Sequence, residues 1–266
     1  QSAPQDWGTT FFGCPAEETI GGKVYMAEAG LFKGYEAALI IHPGGENEVG
    51  GTSLATHPLE VTFHGRSCHI ASLTDSGINA LDCAVELYQK IKELKKTFPK
   101  GAIVGAIFTE AGTAPNVVTP KATIRMTVRG STVDDLEGII LPAIKAAAQE
   151  IAASYGAQVE MHHYEPLFKD MRQDKRLLDL FKAVMTEFGE VPRILPDDEA
   201  DGSTDVGNVS YEVPTAQPTL QIGLGLEAHT PEFTCAAGSD YGLAQAIKGA
   251  KIMAVVALRY ALLSDT

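Results

Sequence analysis

Two adjacent carboxylates, Glu17 and Glu18, stand in Gly13-Cys14-Pro15-Ala16-Glu17-Glu18, directly after the strand-like run Thr9-Thr10-Phe11-Phe12. Open α/β sheets take up ligands at the carboxyl ends of their strands, so chemistry is expected at this bend. Neighbouring side chains at a bend point in different directions. One carboxylate can then hold a metal ion while the other serves as general base on water, a division of labour that hydrolytic metal sites need. The same pair also reads as an acidic helix start stabilised by the dipole. His42 ends the apolar run Ala37-Ala38-Leu39-Ile40-Ile41 and, in a parallel sheet, emerges on the same edge as Glu18. His229, in Glu227-Ala228-His229-Thr230-Pro231-Glu232-Phe233, follows a strand around Ile222 and is the third candidate donor. Glu18, His42 and His229 would offer the oxygen and nitrogen ligands that zinc accepts; taken singly, the histidines read as strand-end or loop groups. Cys14 has no paired base in the sequence around it, which disfavours the rival reading of a thiol nucleophile.

The elements that must position these residues fall into two grammars. Helical spacing over Ile20 to Gly30, with Val24, Ala27 and Leu31 on one side and Gly30 as C-cap, leads into the apolar strand 37–41, and a Gly-rich loop is expected over His42 to Gly51. From Leu59 the pattern alternates, Leu59, Val61 and Phe63 against Glu60, Thr62 and His64, as in a sheet with one solvated face. A helix with Leu81, Val85, Tyr88, Ile91 and Leu94 follows, then strands Ile103 to Thr109 and Ala122 to Arg129. A helix opened by Thr132 and Asp135, interrupted by Pro142 and stopped at Gly156, leads to a last strand, Gln158 to His163. This β-α-β-β-α-β order is the ferredoxin-like arrangement. Beyond Pro166 the α/β grammar returns with a helix from Arg176 to Phe188, a strand from Leu220 to Ile222 and a long helix from Tyr241 to Leu263. The expected fold class is therefore α/β: a mostly parallel-sheet domain, 1–56 and 167–266, carrying an inserted ferredoxin-like α+β domain, 57–166.

Composition narrows the partners. The 266 residues carry 21 Lys+Arg against 34 Asp+Glu, a formal charge of −13 that opposes nucleic acid or an anionic membrane surface. No apolar run reaches the roughly 18 residues of a membrane helix. Gln1 to Gly8 lacks the basic and apolar regions of a signal peptide, and four scattered cysteines suit reduced thiols, so a cytoplasmic location is expected.

Gly-x-Pro-Ala-Glu-Glu, a histidine 24 residues after the second glutamate (42 − 18), Gly65-x-x-x-His69, Asn116-Val117-Val118-x-Pro120 and His229-Thr230-Pro231-Glu232-Phe233 occur in one order along the chain. Together they resemble the amidohydrolase branch of the aminoacylase/carboxypeptidase metallopeptidases, whose relatives include aminobenzoyl-glutamate hydrolase, indole-acetyl-amino-acid hydrolases and aminoacylase-like dipeptidases. The resemblance implies metal-dependent hydrolysis of an amide bond beside a free carboxylate, in a small-molecule amide or dipeptide substrate. It implies Glu17 as general base and Glu18, His42 and His229 as ligands of two divalent metal ions, zinc by default with manganese or cobalt as alternatives. It further implies His69 as an oxyanion donor reaching a partner subunit's site, and a homodimer through the inserted lid and dimerisation domain. Asn116 matches a substrate-holding asparagine but also suits a turn. Arg129 suits a substrate carboxylate or a solvated sheet face. Asp205, in Gly202-Ser203-Thr204-Asp205, stands where relatives carry an acidic residue near the site, with helix capping as the alternative. The family carries a further metal-binding segment some 35 residues before its paired glutamates, whereas 16 residues precede Glu17 here. The expectation is a fragment of a longer enzyme, the alternative a non-catalytic dimerising or ligand-binding relative.

Overall fold

The computed structural model describes residues 8–71 and 76–264; the opening stretch read against a signal peptide lies, up to Trp7, outside them. The chain begins with helix α1 (Gly22–Glu28) and three short strands, β1 (Ala38–Leu39), β2 (His42–Gly44) and β3 (Glu48–Thr52). There follow β4 (Ala55–Thr56), β5 (Leu59–His64), α2 (Ala80–Leu94), β6 (Ile103–Glu110), β7 (Lys121–Gly130), α3 (Val133–Asp135), a π-helical turn (Leu136–Ile140), α4 (Leu141–Tyr155) and β8 (Gln158–His163). The last part holds α5 (Lys175–Glu187), β9 (Arg193–Ala200), α6 (Val206–Ser210), β10 (Thr215–Ala216), β11 (Thr219–Gln221), α7 (Pro231–Ala237) and α8 (Asp240–Ser264). These elements form two compact units, 1–53 with 171–266, and 54–170.

The second unit is a single antiparallel sheet under helices. β7 pairs with β5 on one side and β6 on the other, and β8 pairs with the free edge of β5, giving the order β6-β7-β5-β8 with β4 extending the line of β5. Alternation decides which face is buried: Leu59, Val61, Phe63, Ile124, Met126 and Val128 are shielded against Leu87, Ile91, Leu141 and Ile144 of the two long helices. Pro142 sits in the first turn of α4 and the interruption it was expected to cause is the π turn directly before it. Gly156 closes α4 with φ 70°, the left-handed cap that glycine supplies without steric cost.

The first unit is mixed α/β with mainly parallel pairing. β1 runs parallel to β10, β2 to β11 and β3 to β9, and only the contact of β11 with β3 is antiparallel. Its core joins Val49, Leu220 and Ala216 of the sheets to Leu177, Phe181, Val184 and Met185 of α5 and Ile252 and Val256 of α8. Two expectations fail here. The Gly-rich stretch 42–51 forms β2 and most of β3 rather than a loop, because its glycines admit close strand approach: a Cβ on Gly44 would lie 2.1 Å from the Thr219 methyl, and one on Gly50 2.7 Å from the Leu195 carbonyl oxygen. Thr9 to Phe12 has no ladder partner among the described residues; Phe12 packs on Phe32 and Tyr35 while Phe11 is 92% exposed. β9 carries Pro196 and three acidic residues, a composition that conceals a strand and that an edge position tolerates.

Candidate active site

The paired glutamates ride on a tightly wound turn. Ala16 has φ 57°, and the backbone N–H groups of Thr19, Ile20 and Gly21 converge on its carbonyl at 3.3, 3.1 and 2.8 Å. The turn closes on Gly22, where an added Cβ would stand 2.2 Å from the Pro15 carbonyl oxygen, so glycine is required for the chain to pass. This leaves Glu18 exposed and Glu17 half-buried.

Glu17 has a defined environment. Burial pushes its pKa above the ordinary carboxylate value, a hydrogen bond from the Thr204 hydroxyl opposes the rise, the charges of Asp205 and Glu18 add to it, and Lys23 lowers it. The Thr204 oxygen accepts a hydrogen bond from the Val206 N–H at 3.3 Å, so its own O–H is not used in that bond. A half-buried carboxylate with a raised pKa that still faces solvent is suited to taking a proton from water and returning it.

Glu18 and His229 meet. Oε2 of Glu18 lies 3.8 Å from Nε2 of His229, with both side chains largely exposed. His229 has φ 61°; it and Ala16 are the two non-glycine residues with positive φ among the described residues. Thr230 next to it caps α7 by accepting from the Phe233 N–H at 3.2 Å, and Pro231 occupies the first helical position, so the histidine is presented from the fixed start of a helix. His42 begins β2 rather than ending the strand before it, and its Nδ1 lies 2.7 Å from the Pro43 carbonyl oxygen. A carboxylate and an imidazole facing each other fit a divalent cation in kind. Among the described residues no group of three such donors comes together.

Asp205, expected at the substrate or as a helix cap, gives its own helix α6 no side-chain cap. It is fully buried and has both oxygens on Lys23: Oδ2 accepts from the backbone N–H and Oδ1 from Nζ, each at 2.9 Å. Lys23 and Thr204 are the residues that sequence reasoning missed. The available signal was a lysine beside Val24 on the buried side of α1, a cation that needs an acid. Burial raises the pKa of the nearby Cys14 thiol, with Lys23 opposing and Asp205 adding to the shift, an environment that does not favour a thiolate nucleophile.

In the second unit, the segment 68–70 pairs with 116–118. The Ile70 N–H donates to the Asn116 carbonyl at 3.0 Å, the Val118 N–H to the Cys68 carbonyl at 2.9 Å, and His69 bridges Val117. His69 and Asn116 thus lie on adjoining exposed stretches. Nδ1 of His69 accepts from the Ala71 N–H at 3.1 Å, so the neutral ring carries its proton on Nε2, pointing a donor outward. Arg129 lies on the polar face of β7 with Arg125; Arg125 is held by Glu60 at 2.5 Å and stacks over Tyr164, while Arg129 makes no ion pair among the described residues.

Residues 58–156 match the peptidase dimerisation domain family. The chain is 29% identical over 260 residues to the Xaa-Arg dipeptidase of Mus musculus, covering 97% of this chain and 60% of that enzyme. It is 30% identical over 131 residues to one of the polypeptides of the p-aminobenzoyl-glutamate hydrolase of Escherichia coli K12, covering 48% of this chain and 27% of that polypeptide. It spans about three fifths of the length of the dipeptidases it matches. In fold it is similar to a putative aminohydrolase from methicillin resistant Staphylococcus aureus, with a TM-score of 0.73 at 17% identity over 93% of this chain and 65% of that one. It is similar also to the aminobenzoyl-glutamate utilization protein of Klebsiella pneumoniae, with a TM-score of 0.61 at 18% identity over 80% and 55%. With the motifs in one order, the dimerisation-domain match inside the second unit and a dipeptidase similar along nearly its whole length, the chain is similar to the M20 amidohydrolases.

Proposed function

We propose that this protein hydrolyses an amide bond beside a free carboxylate, in a dipeptide or an acylated amino acid, with Glu17 as general base. The observation that carries the reading is local strain: Ala16 and His229, the positive-φ non-glycine residues among the described residues, bracket the same group of Glu17, Glu18 and His229. Backbone held in sparsely populated conformations costs about 1–3 kcal/mol per residue and concentrates where function needs a fixed geometry. The names of the relatives, a dipeptidase for Xaa-Arg and a hydrolase of p-aminobenzoyl-glutamate, give the substrate class to try first.

In this reading Glu17 accepts the proton of the attacking water and delivers it to the leaving amine, so one carboxylate serves both steps. The Nε2–H of His69, contributed by a second copy, faces the negative charge that develops on the carbonyl oxygen, and Asn116 and Arg129 hold the substrate, Arg129 through its carboxylate. Glu18 and His229, with His42, are the residues of this chain that would hold divalent metal, which when bound polarises water and carbonyl. The parts 1–56 and 167–266 form the catalytic domain and 57–166 the lid and dimerisation domain, and the protein works in the cytoplasm.

The test is turnover of a Xaa-Arg dipeptide and of p-aminobenzoyl-glutamate by the full-length protein, with elemental analysis of bound metal. Glu17→Gln should reduce kcat by at least a thousandfold while bound metal stays within a fifth of the wild-type content. Wild-type turnover in that variant would remove Glu17 from the mechanism. A full-length protein with neither metal nor turnover would favour the non-catalytic relative.

A further inference from the structure

The turn that carries Glu17 is anchored at one point that no catalytic role absorbs. α1 starts at Gly22 after a left-handed Gly21, and a glycine cap offers no side chain to the first helical N–H groups. The Lys23 N–H is instead taken by Oδ2 of Asp205, 182 residues away in sequence, and the Lys23 ammonium by Oδ1 of the same carboxylate. Both groups are buried, so water does not compete for either.

The other side of Asp205 leads to the same glutamate. Thr204 directly precedes it, and the Thr204 hydroxyl lies near enough to the Glu17 carboxylate to lower the pKa of that carboxylate. The amides of Gly207 and Asn208 close on the carbonyls of Thr204 and Asp205 at 3.1 Å each, which fixes this stretch as the first turn of α6. The turn of Glu17 is therefore anchored through the chain by Gly22 and Lys23 on Asp205, and the residue before Asp205, Thr204, lies beside the Glu17 carboxylate.

We propose that Lys23, Asp205 and Thr204 form a positioning clamp that sets the orientation of the Glu17 carboxylate for proton transfer. The clamp rests on the reading of Glu17 as general base. It touches no substrate, so its loss should lower kcat and leave KM nearly unchanged, and a misdirected base costs on the order of a tenfold to hundredfold in rate. Because removing one member of a buried ion pair strands the other charge, the pair is removed together.

The experiment compares full-length Glu17→Gln, Thr204→Val, Lys23→Arg and the double variant Lys23→Met with Asp205→Leu, measuring kcat and KM on a Xaa-Arg dipeptide and thermal unfolding of each. The expected result is a fall in kcat of at least tenfold in Thr204→Val and in the double variant, KM within twofold, and a kcat within threefold of wild type in Lys23→Arg, which keeps the ion pair. A folded double variant with wild-type kcat overturns the clamp, as does Thr204→Val at wild-type kcat should the double variant fail to fold. Loss seen in KM alone overturns it as well. Glu17→Gln separates the two levels: wild-type turnover there removes the base assignment itself, whereas an inactive Glu17→Gln beside active clamp variants removes only the clamp.

Discussion

At the residue scale, the second unit contains a histidine whose protonation state is set by its neighbours. His163 donates from Nδ1 to the Pro58 carbonyl at 3.0 Å and faces the Lys145 ammonium through Nε2 at 2.9 Å, which leaves that nitrogen as acceptor and the ring neutral. It stacks on His57, with ring centroids 3.4 Å apart, and His57 in turn meets Glu137 at 2.6 Å. Burial, then the charges of His57 and Lys145, hold the His163 pKa below 6.5, with the Pro58 hydrogen bond and Glu137 opposing. A base with a depressed folded pKa binds its proton less readily than in the unfolded chain, so its contribution to stability is complete above 6.5 and is lost as pH falls through the folded value. Thermal unfolding between pH 7.5 and 5 should show Tm falling below about pH 6.5, with a shallower fall in His163→Gln; parallel curves would refute the assignment. Gly22 makes a separate case. Gly22→Ala must displace the Pro15 carbonyl, and we expect it to lower Tm and cut turnover at least tenfold, measured on the same preparation.

At the element scale, what repetition encodes was legible and what a single contact decides was not. Thr132 accepts from the Asp135 N–H at 3.1 Å as its sequence signal predicts, and Thr132→Ala should cost about 1 kcal/mol in chemical unfolding. β5 and β8 keep the bounds given by alternation, and α2, α5 and α8 differ from the helical spacing by a residue at their ends, because one buried face constrains many positions at once. β9 was invisible, since an edge strand holding Pro196 buries almost nothing that a pattern could register. Thr9 to Phe12 had the propensity of a strand without a neighbour to pair with, and propensity alone forms no ladder. The candidate site divides the same way. Glu18 and His229 were readable as donors and do face each other. The burial of Asp205 on Lys23 spans most of the chain, a distance over which sequence spacing carries no information.

At the scale of the whole molecule, the two units have separate cores. No described helix is long and apolar enough to cross a membrane, and all four cysteines are free, with Cys83 alone buried and its thiol pushed up to about 11, first by burial. The sheet and helices of the second unit enclose one continuous apolar cluster, so the segment 54–170 produced alone should unfold in a single cooperative transition. Non-cooperative melting of that segment would show that its core is not self-sufficient.

The strand by which the chain enters the second unit and the one by which it leaves are bonded to each other. Thr56 and Phe168 exchange N–H to carbonyl hydrogen bonds at 2.9 Å in both directions, and on the other side Thr52 reaches the Met171 carbonyl at 2.8 Å. The insertion therefore opens a gap in its host no wider than a hairpin. A gene in which a short turn joins residue 52 to residue 171 would let the first unit close on itself, and the excised segment could be carried, ends together, into another protein. The join is a cassette boundary, one at which recombination can exchange the insert without rebuilding the sheets of the first unit.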